Sequence, residues 1–219
     1  MSKVGVLLSG CGFLDGAEIH EAVLTLLALD QKKATIICCA PDAPQAAVID
    51  HETKQPGGET RNILKESARI ARGQIRDVAK VKAAELDALI LPGGFGAAKN
   101  LCSFAGDGPE CKVNPDVERL VGDMLAAHKP IGAICIAPAL LARIAGKRGL
   151  KVKLTIGNDA GTARALAAMG GEHENCAVTE ISVDEKNKLV STPAYMLGPG
   201  PAAVFEGIRK LVDKVLSWA

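Results

Sequence analysis

The chain has 219 residues, of which 48% are hydrophobic and 23% are charged, so it is long enough for one globular domain or at most two small ones. These proportions exclude a disordered, collagen-like or coiled-coil chain. Lys and Arg number 26 against 25 Asp and Glu, and only 3% of the residues are aromatic. A nucleic-acid partner is therefore not expected, because the chain has neither a basic field nor a stacking surface.

The N-terminal segment has an apolar run of only five residues, 4–8, which is too short for the core of a signal peptide. The most apolar stretch, 130–142, contains Gly and Pro and is too short to span a membrane. The seven cysteines include no CxxC pair and no Cys/His set at zinc spacing. We therefore expect a protein of a reducing compartment, the cytoplasm, with no metal and no membrane association.

Short apolar runs alternate with amphipathic segments along the whole chain. In chain order, the pattern predicts strands at 3–9, 35–40, 87–91, 131–134 and 152–156, and helices from 19 and at 60–72, 116–127, 137–145, 160–169 and 204–216. Residues 93–115 are predicted to form a long glycine-rich loop, and 179–184 with 188–192 an antiparallel hairpin. No repeat or linker divides the chain, so we predict a single α/β domain over 1–219 with a mostly parallel sheet covered on both faces.

Ligands of such folds bind beyond the carboxyl ends of the strands. The strand at 131–134 runs directly into Cys135, and a helix begins at once with Pro138 in its first turn. This is the layout of a nucleophile elbow with Cys in place of Ser. The N-terminus of the helix should favour the thiolate, which makes Cys135 a candidate nucleophile. The alternative is that Cys135 is a small core residue.

Two further features follow neighbouring strands. The backbone N–H groups of Gly94, in the segment LPGGFG, and of Ile136 could form an oxyanion hole, although the glycines could also form only a tight turn. Glu18 and Glu21 lie three residues apart near the start of the first helix. They are either partners of the helix dipole or carboxylates that hydrogen-bond the nucleophile.

Two other sites are not supported. The segment GCGFLDG has one residue too many for a dinucleotide-binding GxGxxG, and Asp15 would bring a negative charge to the pyrophosphate. None of the histidines, at positions 20, 51, 128 and 173, stands directly after a parallel strand downstream of the elbow. A Cys–His dyad is therefore not predicted.

The segments GCGFLDGAEIHEA, LPGGFGAAKNL, GAICIAP, LTIGNDAGTA and STPAYML, in this order and spacing, resemble the ElbB-type proteins. These belong to the PfpI superfamily and have the class I glutamine amidotransferase-like, flavodoxin-like fold. The resemblance covers essentially the whole chain and implies a three-layer α/β/α sandwich, commonly a homodimer. It also implies a glutathione-independent glyoxalase of the hydro-lyase type, without cofactor, that converts glyoxal to glycolate, and a related deglycase activity.

By position, the resemblance assigns the nucleophile to Cys135, the carboxylate beside it to Glu21 rather than Glu18, and the oxyanion donors to Gly94 and Ile136. The chain departs from the superfamily at Asn158, where many members have a His. No His-x-Glu follows the elbow, so we do not expect hydrolysis of glutamine.

The leading hypothesis is thus an enzyme in which the thiolate of Cys135 adds to a small 1,2-dicarbonyl and Glu21 moves protons. One alternative is a redox sensor whose partner binding changes when Cys135 is oxidised. Another, also implied by the resemblance, is an accessory amidotransferase-like subunit in isoprenoid biosynthesis. Whether Tyr195 of STPAYML lines the site or only packs is left open.

Overall fold

Nine β-strands and eight α-helices alternate along the chain in the computed structural model, which covers residues 1–219. The strands are Lys3–Leu7 (β1), Thr35–Ala40 (β2), Ile75–Asp77 (β3), Ala88–Leu91 (β4), Ile131–Ile134 (β5), Val152–Leu154 (β6), Gly171–His173 (β7), Ser182–Asp184 (β8) and Leu189–Thr192 (β9). The helices are Ile19–Gln31 (α1), Ile63–Ile70 (α2), Phe95–Lys99 (α3), Phe104–Asp107 (α4), Pro115–Ala126 (α5), Ala137–Lys147 (α6), Ala160–Ala168 (α7) and Pro201–Leu216 (α8).

Seven strands form one sheet in the order β3-β2-β1-β4-β5-β9-β8. All neighbouring pairs are parallel except β8 and β9, which form the antiparallel hairpin expected from the sequence. The chain proceeds outward from β1 to β3 and then returns to place β4 on the other side of β1. This reversal creates a crevice at the carboxyl ends of β1 and β4, which is where such sheets bind ligands.

Helices cover both faces of the sheet, which confirms the predicted three-layer α/β/α fold. Leu89 and Leu91 of β4 belong to the hydrophobic core under α5 and α6, whereas Ile90 belongs to the core under α1 and α8. Both sets are fully buried because successive side chains of a strand point to opposite faces. On β5, Gly132 has no side chain, and Leu211 of α8 packs against the strand there. No helix in the molecule has the length and apolar character needed to cross a membrane.

The predicted strand at 152–156 does not join the main sheet. Its strand β6 pairs instead with the unpredicted β7 in a separate two-stranded parallel sheet. Where this segment passes the main sheet, its backbone N–H groups donate to side-chain oxygens of the sheet rather than to backbone carbonyls. The N–H of Lys153 donates to Asp184 Oδ2 over 2.9 Å, and that of Thr155 donates to Ser191 Oγ over 2.8 Å. Periodicity in the sequence carries no information about such side-chain bonds.

Three other features of the secondary structure differ from the sequence predictions. The loop at 93–115 contains α3, α4 and a short 3-10 turn, Gly108–Glu110. The helix predicted at 60–72 begins at Ile63 because Asn62 caps it, its Oδ1 accepting the N–H of Lys65 over 3.0 Å. The edge strand β3 was not predicted, since a three-residue strand with one apolar residue leaves no periodic signal.

Candidate active site

The carboxyl ends of four adjacent strands, β1, β4, β5 and β9, meet around one cysteine. Cys135 directly follows β5 and has a φ of 62°, a left-handed conformation that costs a non-glycine residue about 1 kcal/mol or more. Its N–H donates to the carbonyl of Thr192 at the end of β9 over 3.0 Å. Ile136 then caps α6, with Pro138 in the first turn. The backbone therefore turns sharply at Cys135 and holds the side chain beyond the edge of the sheet.

The paired glycines after β4 allow the backbone to pass against this cysteine. A Cβ atom on Gly93 would lie 2.5 Å from the Cβ of Cys135 and 2.8 Å from Glu21 Oε2, so only glycine fits there. Gly94 has a φ of 90° and begins α3. Its N–H and that of Ile136 both donate toward the sulfur of Cys135. The structure thus brings together all four residues singled out from the sequence, with the two backbone donors aimed at the sulfur.

Glu21 is fully buried, and both of its carboxyl oxygens accept hydrogen bonds from backbone N–H groups. Oε2 accepts the N–H of Gly93 over 2.9 Å, and Oε1 accepts the N–H of Tyr195 over 3.1 Å. The carboxyl group also shares a hydrogen bond with the thiol of Cys135. Burial, and next the charge of Glu18, raise the pKa of Glu21 to about 8. At neutral pH this carboxyl group is therefore mostly protonated and can donate to sulfur or substrate.

Glu18 is at the start of α1, where a partner of the helix dipole would lie. It is the N-cap of α1, and its Oε2 accepts the N–H of Glu21 over 2.6 Å. Partial burial raises the pKa of Glu18 as well. Glu18 is half-buried at the wall of the site, whereas Glu21 contacts the cysteine. The geometry therefore matches the assignment of Glu21, rather than Glu18, to the position beside the nucleophile.

The low pKa that the helix N-terminus led us to expect for Cys135 is wrong for the resting site. Burial, and next the negative charge of Glu21, raise the pKa of the Cys135 thiol well above its usual range, and the N–H groups of Gly94 and Ile136 only partly oppose this. Because the thiol and the carboxyl group are hydrogen-bonded, the first proton lost belongs to the pair. Because the pKa of the thiol is raised the more of the two, the remaining proton stays on the sulfur, and the sulfur becomes a nucleophile when the Glu21 carboxylate takes that proton.

A cavity of about 460 Å³ opens beside the sulfur. Its wall is mostly apolar and includes Phe13, Phe95 and Phe104. Tyr195 and Glu18 supply polar groups at the same wall. The site is therefore a thiol in the wall of a largely apolar cavity, with a fully buried carboxyl group next to that thiol.

Tyr195 lines this cavity, which answers the question left open by the sequence. Its hydroxyl group lies 2.7 Å from Nδ1 of His20, and its backbone N–H binds Glu21. Its pKa is raised by burial and by the charges of Glu18 and Glu21. Tyr195 lies in the short turn just after β9, so its position near a strand end was a usable signal. Nothing in the sequence marked His20 as its partner.

Asn158, which stands where the resemblance would place a histidine, does not line the cavity. Its side chain is exposed and lies outside the wall of the cavity, where Thr162 at the start of α7 is found instead. No histidine lines the cavity either. All seven cysteines are unpaired.

Comparison with known proteins places this arrangement in a family. Residues 15–153 match the profile of the DJ-1/PfpI family. The human glutamine amidotransferase-like class 1 domain-containing protein 3, mitochondrial, is 49% identical over 98% of this chain and 82% of its own length. The rat ES1 protein homolog, mitochondrial, is 48% identical over 98% of this chain and 83% of its own length.

Solved structures agree with the sequence comparisons. The crystal structure of an isoprenoid biosynthesis protein with an amidotransferase-like domain from Ehrlichia chaffeensis superposes with a TM-score of 0.94 at 38% identity, covering 100% of this chain and 99% of that one. Drosophila melanogaster DJ-1beta, at 18% identity, shares the fold with a TM-score of 0.57 over 100% of this chain and 96% of its own. With a class I glutamine amidotransferase-like fold and a cysteine at its strand-to-helix turn, the chain belongs to the DJ-1/PfpI family.

Proposed function

We propose that the protein is a glutathione-independent glyoxalase that uses Cys135 to convert small 1,2-dicarbonyl compounds to 2-hydroxy acids, glyoxal giving glycolate. The observation that carries this proposal is a cysteine, Cys135, that lines an open cavity and is hydrogen-bonded to the buried Glu21. A reactive thiol, one proton-transfer group and two backbone donors are sufficient for the chemistry. No cofactor or metal takes part in the proposed reaction.

The reaction begins when the pair loses a proton and the sulfur attacks an aldehyde carbon. Glu21 takes the proton of the thiol, a C–S bond forms, the C=O π bond breaks, and the oxygen receives that proton from Glu21 to give a hemithioacetal. The N–H groups of Gly94 and Ile136 are proposed to stabilise the negative oxygen, since they already point into this region. Both groups are fixed by the backbone, so they need no reorganisation during the attack.

Glu21 is proposed to move the remaining protons. Its carboxylate removes the C–H proton of the hemithioacetal to give an enediol, and then returns a proton to the neighbouring carbon to give a thioester. The carbon bonded to sulfur is thereby oxidised and its neighbour is reduced, so no external oxidant is needed. Water cleaves the thioester to release the 2-hydroxy acid and the thiol. The sum is dicarbonyl plus water to hydroxy acid. Deglycation of the hemithioacetals and hemiaminals that dicarbonyls form with thiols and amines is proposed as a second use of the same site.

The test is glyoxal consumption and glycolate formation by purified protein, followed by NMR. Cys135→Ser should lose at least about 10³-fold in kcat/KM, since a serine without an adjacent strong base is a poor nucleophile. Glu21→Gln should lose about 10²-fold or more. Glu18→Gln is the matched control, because it changes the same group three residues away and should have a much smaller effect. Turnover that survives Cys135→Ser would rule out the covalent mechanism.

A second candidate function is supported by one relative. The Ehrlichia chaffeensis protein, 38% identical over the whole chain, is described as an isoprenoid biosynthesis protein with an amidotransferase-like domain. We therefore keep an accessory role in isoprenoid biosynthesis as the alternative. It predicts a stable complex with a partner enzyme and no glycolate formation, and pull-down from cell extract together with the glyoxal assay separates the two.

We also propose that the protein is a homodimer. The exposed face of α1 carries Ile19, Val23 and Leu27, with 41%, 47% and 42% of their surfaces accessible, and supports this proposal. Val23→Glu should shift the protein to monomers in light scattering.

Seven free cysteines support a reducing compartment. The cytoplasm predicted from the sequence is one choice, and the mitochondrion named for the human and rat relatives is the other.

A further inference from the structure

The aromatic residues of this chain are concentrated at one place. The sequence has four Phe, one Tyr and one Trp, and four of these six side chains, those of Phe13, Phe95, Phe104 and Tyr195, line the cavity beside Cys135. They come from three segments of the chain, which follow β1, β4 and β9, so local sequence clustering does not explain their meeting. Phe13 and Phe95 also leave 44% and 47% of their surfaces accessible. Apolar rings left open around a thiol indicate a ligand with an apolar body.

The charged side chains around the cavity also restrict which ligands it can bind. Glu18 is the only side chain of its wall that carries a formal charge, and no Lys, Arg or His lines it. Two basic side chains contact wall residues without lining the cavity themselves. Lys99 Nζ stacks 4.9 Å from the centroid of the Phe95 ring, and His20 is bound to the Tyr195 hydroxyl beside Glu18. A carboxylate or phosphate entering this cavity would lose its water and meet the charge of Glu18, with no cationic side chain and only the two backbone N–H groups beside the sulfur to oppose it.

From these two observations we infer that the natural substrates are uncharged carbonyl compounds with an apolar substituent of about the size of a phenyl ring, and that anionic carbonyl compounds are excluded. The inference rests on the proposed function, whose nucleophile it keeps. Glyoxal fills little of a 460 Å³ cavity, whereas an arylglyoxal can place its ring among the three phenylalanines and its aldehyde at the sulfur. Its reaction is balanced in the same way: phenylglyoxal plus water gives mandelate.

The first test measures binding without turnover. Phenylacetamide and phenylacetate have the same shape and differ in charge, and each is used to protect Cys135 from iodoacetamide, with labelling followed by peptide mass spectrometry. Phenylacetamide should protect at a concentration at least about tenfold lower than phenylacetate, because only the anion has to be desolvated next to Glu18. Equal protection by the two probes, or no protection by either, would overturn the inference.

Matched variants locate the apolar site. Phe104→Ala and Phe95→Ala should each weaken protection by phenylacetamide about fivefold, which is the usual range for an aromatic pair. Phe205→Ala is the control, because Phe205 of α8 is the one phenylalanine outside the cavity. It should leave protection unchanged. Phe95 is exposed, so its truncation should leave the fold intact, and circular dichroism checks this for every variant. Loss of protection in Phe205→Ala alone would contradict the assignment.

The second test uses turnover and separates this inference from the proposed function. The kcat/KM for phenylglyoxal should exceed that for glyoxal by about tenfold or more, and 4-carboxyphenylglyoxal should be at least about tenfold worse than phenylglyoxal. If Cys135-dependent glyoxal turnover is found but phenylglyoxal is no better, the glyoxalase stands and the substrate class is wrong. If no dicarbonyl is converted while phenylacetamide still protects Cys135, the cavity's preference stands and the proposed reaction is wrong.

Discussion

Replacing Glu21 with Gln should change how the stability of the protein depends on pH. The carboxyl group is fully buried and its pKa is raised from the usual 4.5 to about 8. The native state therefore holds a proton that the unfolded chain has already released between these two pH values. The contribution of the Glu21 proton to the free energy of unfolding is fully present below the pKa of the unfolded chain. It is lost as the pH rises through the pKa of the native state. Glu21 thus destabilises the protein as the solution becomes neutral and then alkaline.

The size of the effect follows from the two pKa values. A difference of one pKa unit corresponds to about 1.4 kcal/mol, so the full cost of ionising the buried carboxyl is about 5 kcal/mol. Between about pH 5.5 and 7.5 the native state binds nearly one proton more than the unfolded state throughout. Integration over that range gives a loss of about 2.5 kcal/mol from Glu21 alone. The thiol of Cys135 does not contribute there, because its raised pKa lies at higher pH.

The assay is urea unfolding of the wild type and Glu21→Gln at about pH 5.5 and 7.5. The amide must turn its NH₂ toward one of the N–H groups of Gly93 and Tyr195, which costs stability, but this cost is the same at both pH values and cancels. The free energy of unfolding of the wild type should fall by about 2.5 kcal/mol more than that of the variant. An equal fall in both proteins would show that Glu21 is not protonated in the native state and would refute our account of the pair.

Two further predictions concern the same group of residues. The kcat/KM for glyoxal should rise about tenfold from pH 6 to 7 and level off above about pH 8, because the pair must lose one proton before the sulfur attacks, and Glu21→Gln should move this rise to higher pH. Gly93→Ala should abolish turnover and lower thermal stability, because the added Cβ would lie 2.5 Å from that of Cys135. Gly106→Ala, where a Cβ meets nothing within 4 Å, should do neither. Turnover that does not vary with pH, or an active Gly93→Ala, would contradict the site geometry.

The architecture was predictable because its main strands are continuous apolar runs. β4 and β5 are buried along their whole length, β1 after its first residue and β2 over its second half, and such runs stand out from the amphipathic helices between them. The short β3 and β7 left no comparable pattern. β6 was predicted as a strand but its pairing with β7 was not. The position of β6 depends on hydrogen bonds to the side chains of Asp184 and Ser191. Tertiary hydrogen bonds of this kind decide which sheet a short strand joins.

Within the site, sequence reasoning succeeded wherever the backbone decided the geometry. A strand, a cysteine and a helix in immediate succession can connect only by a sharp turn, and the paired glycines mark where another backbone passes close to it. The raised pKa of the Cys135 thiol was not predictable, because a helix N-terminus is visible in the sequence but the burial of the thiol is not. Glu21 raises that pKa further from a distant part of the chain. The aromatic wall was likewise invisible, since its members are joined only by the fold.

Several departures from the most stable local structure meet at this one site. Cys135 and Ala194 are both non-glycine residues with positive φ, at 62° and 43°, and each follows the end of a neighbouring strand. Glu21 is a carboxyl group buried at a large cost, and Gly93 permits a contact that any side chain would prevent. Each feature alone lowers stability, and none improves the packing of the core. Their common product is a thiol held within reach of a buried proton donor and an open cavity, so the position of that thiol is what the fold maintains at the expense of stability.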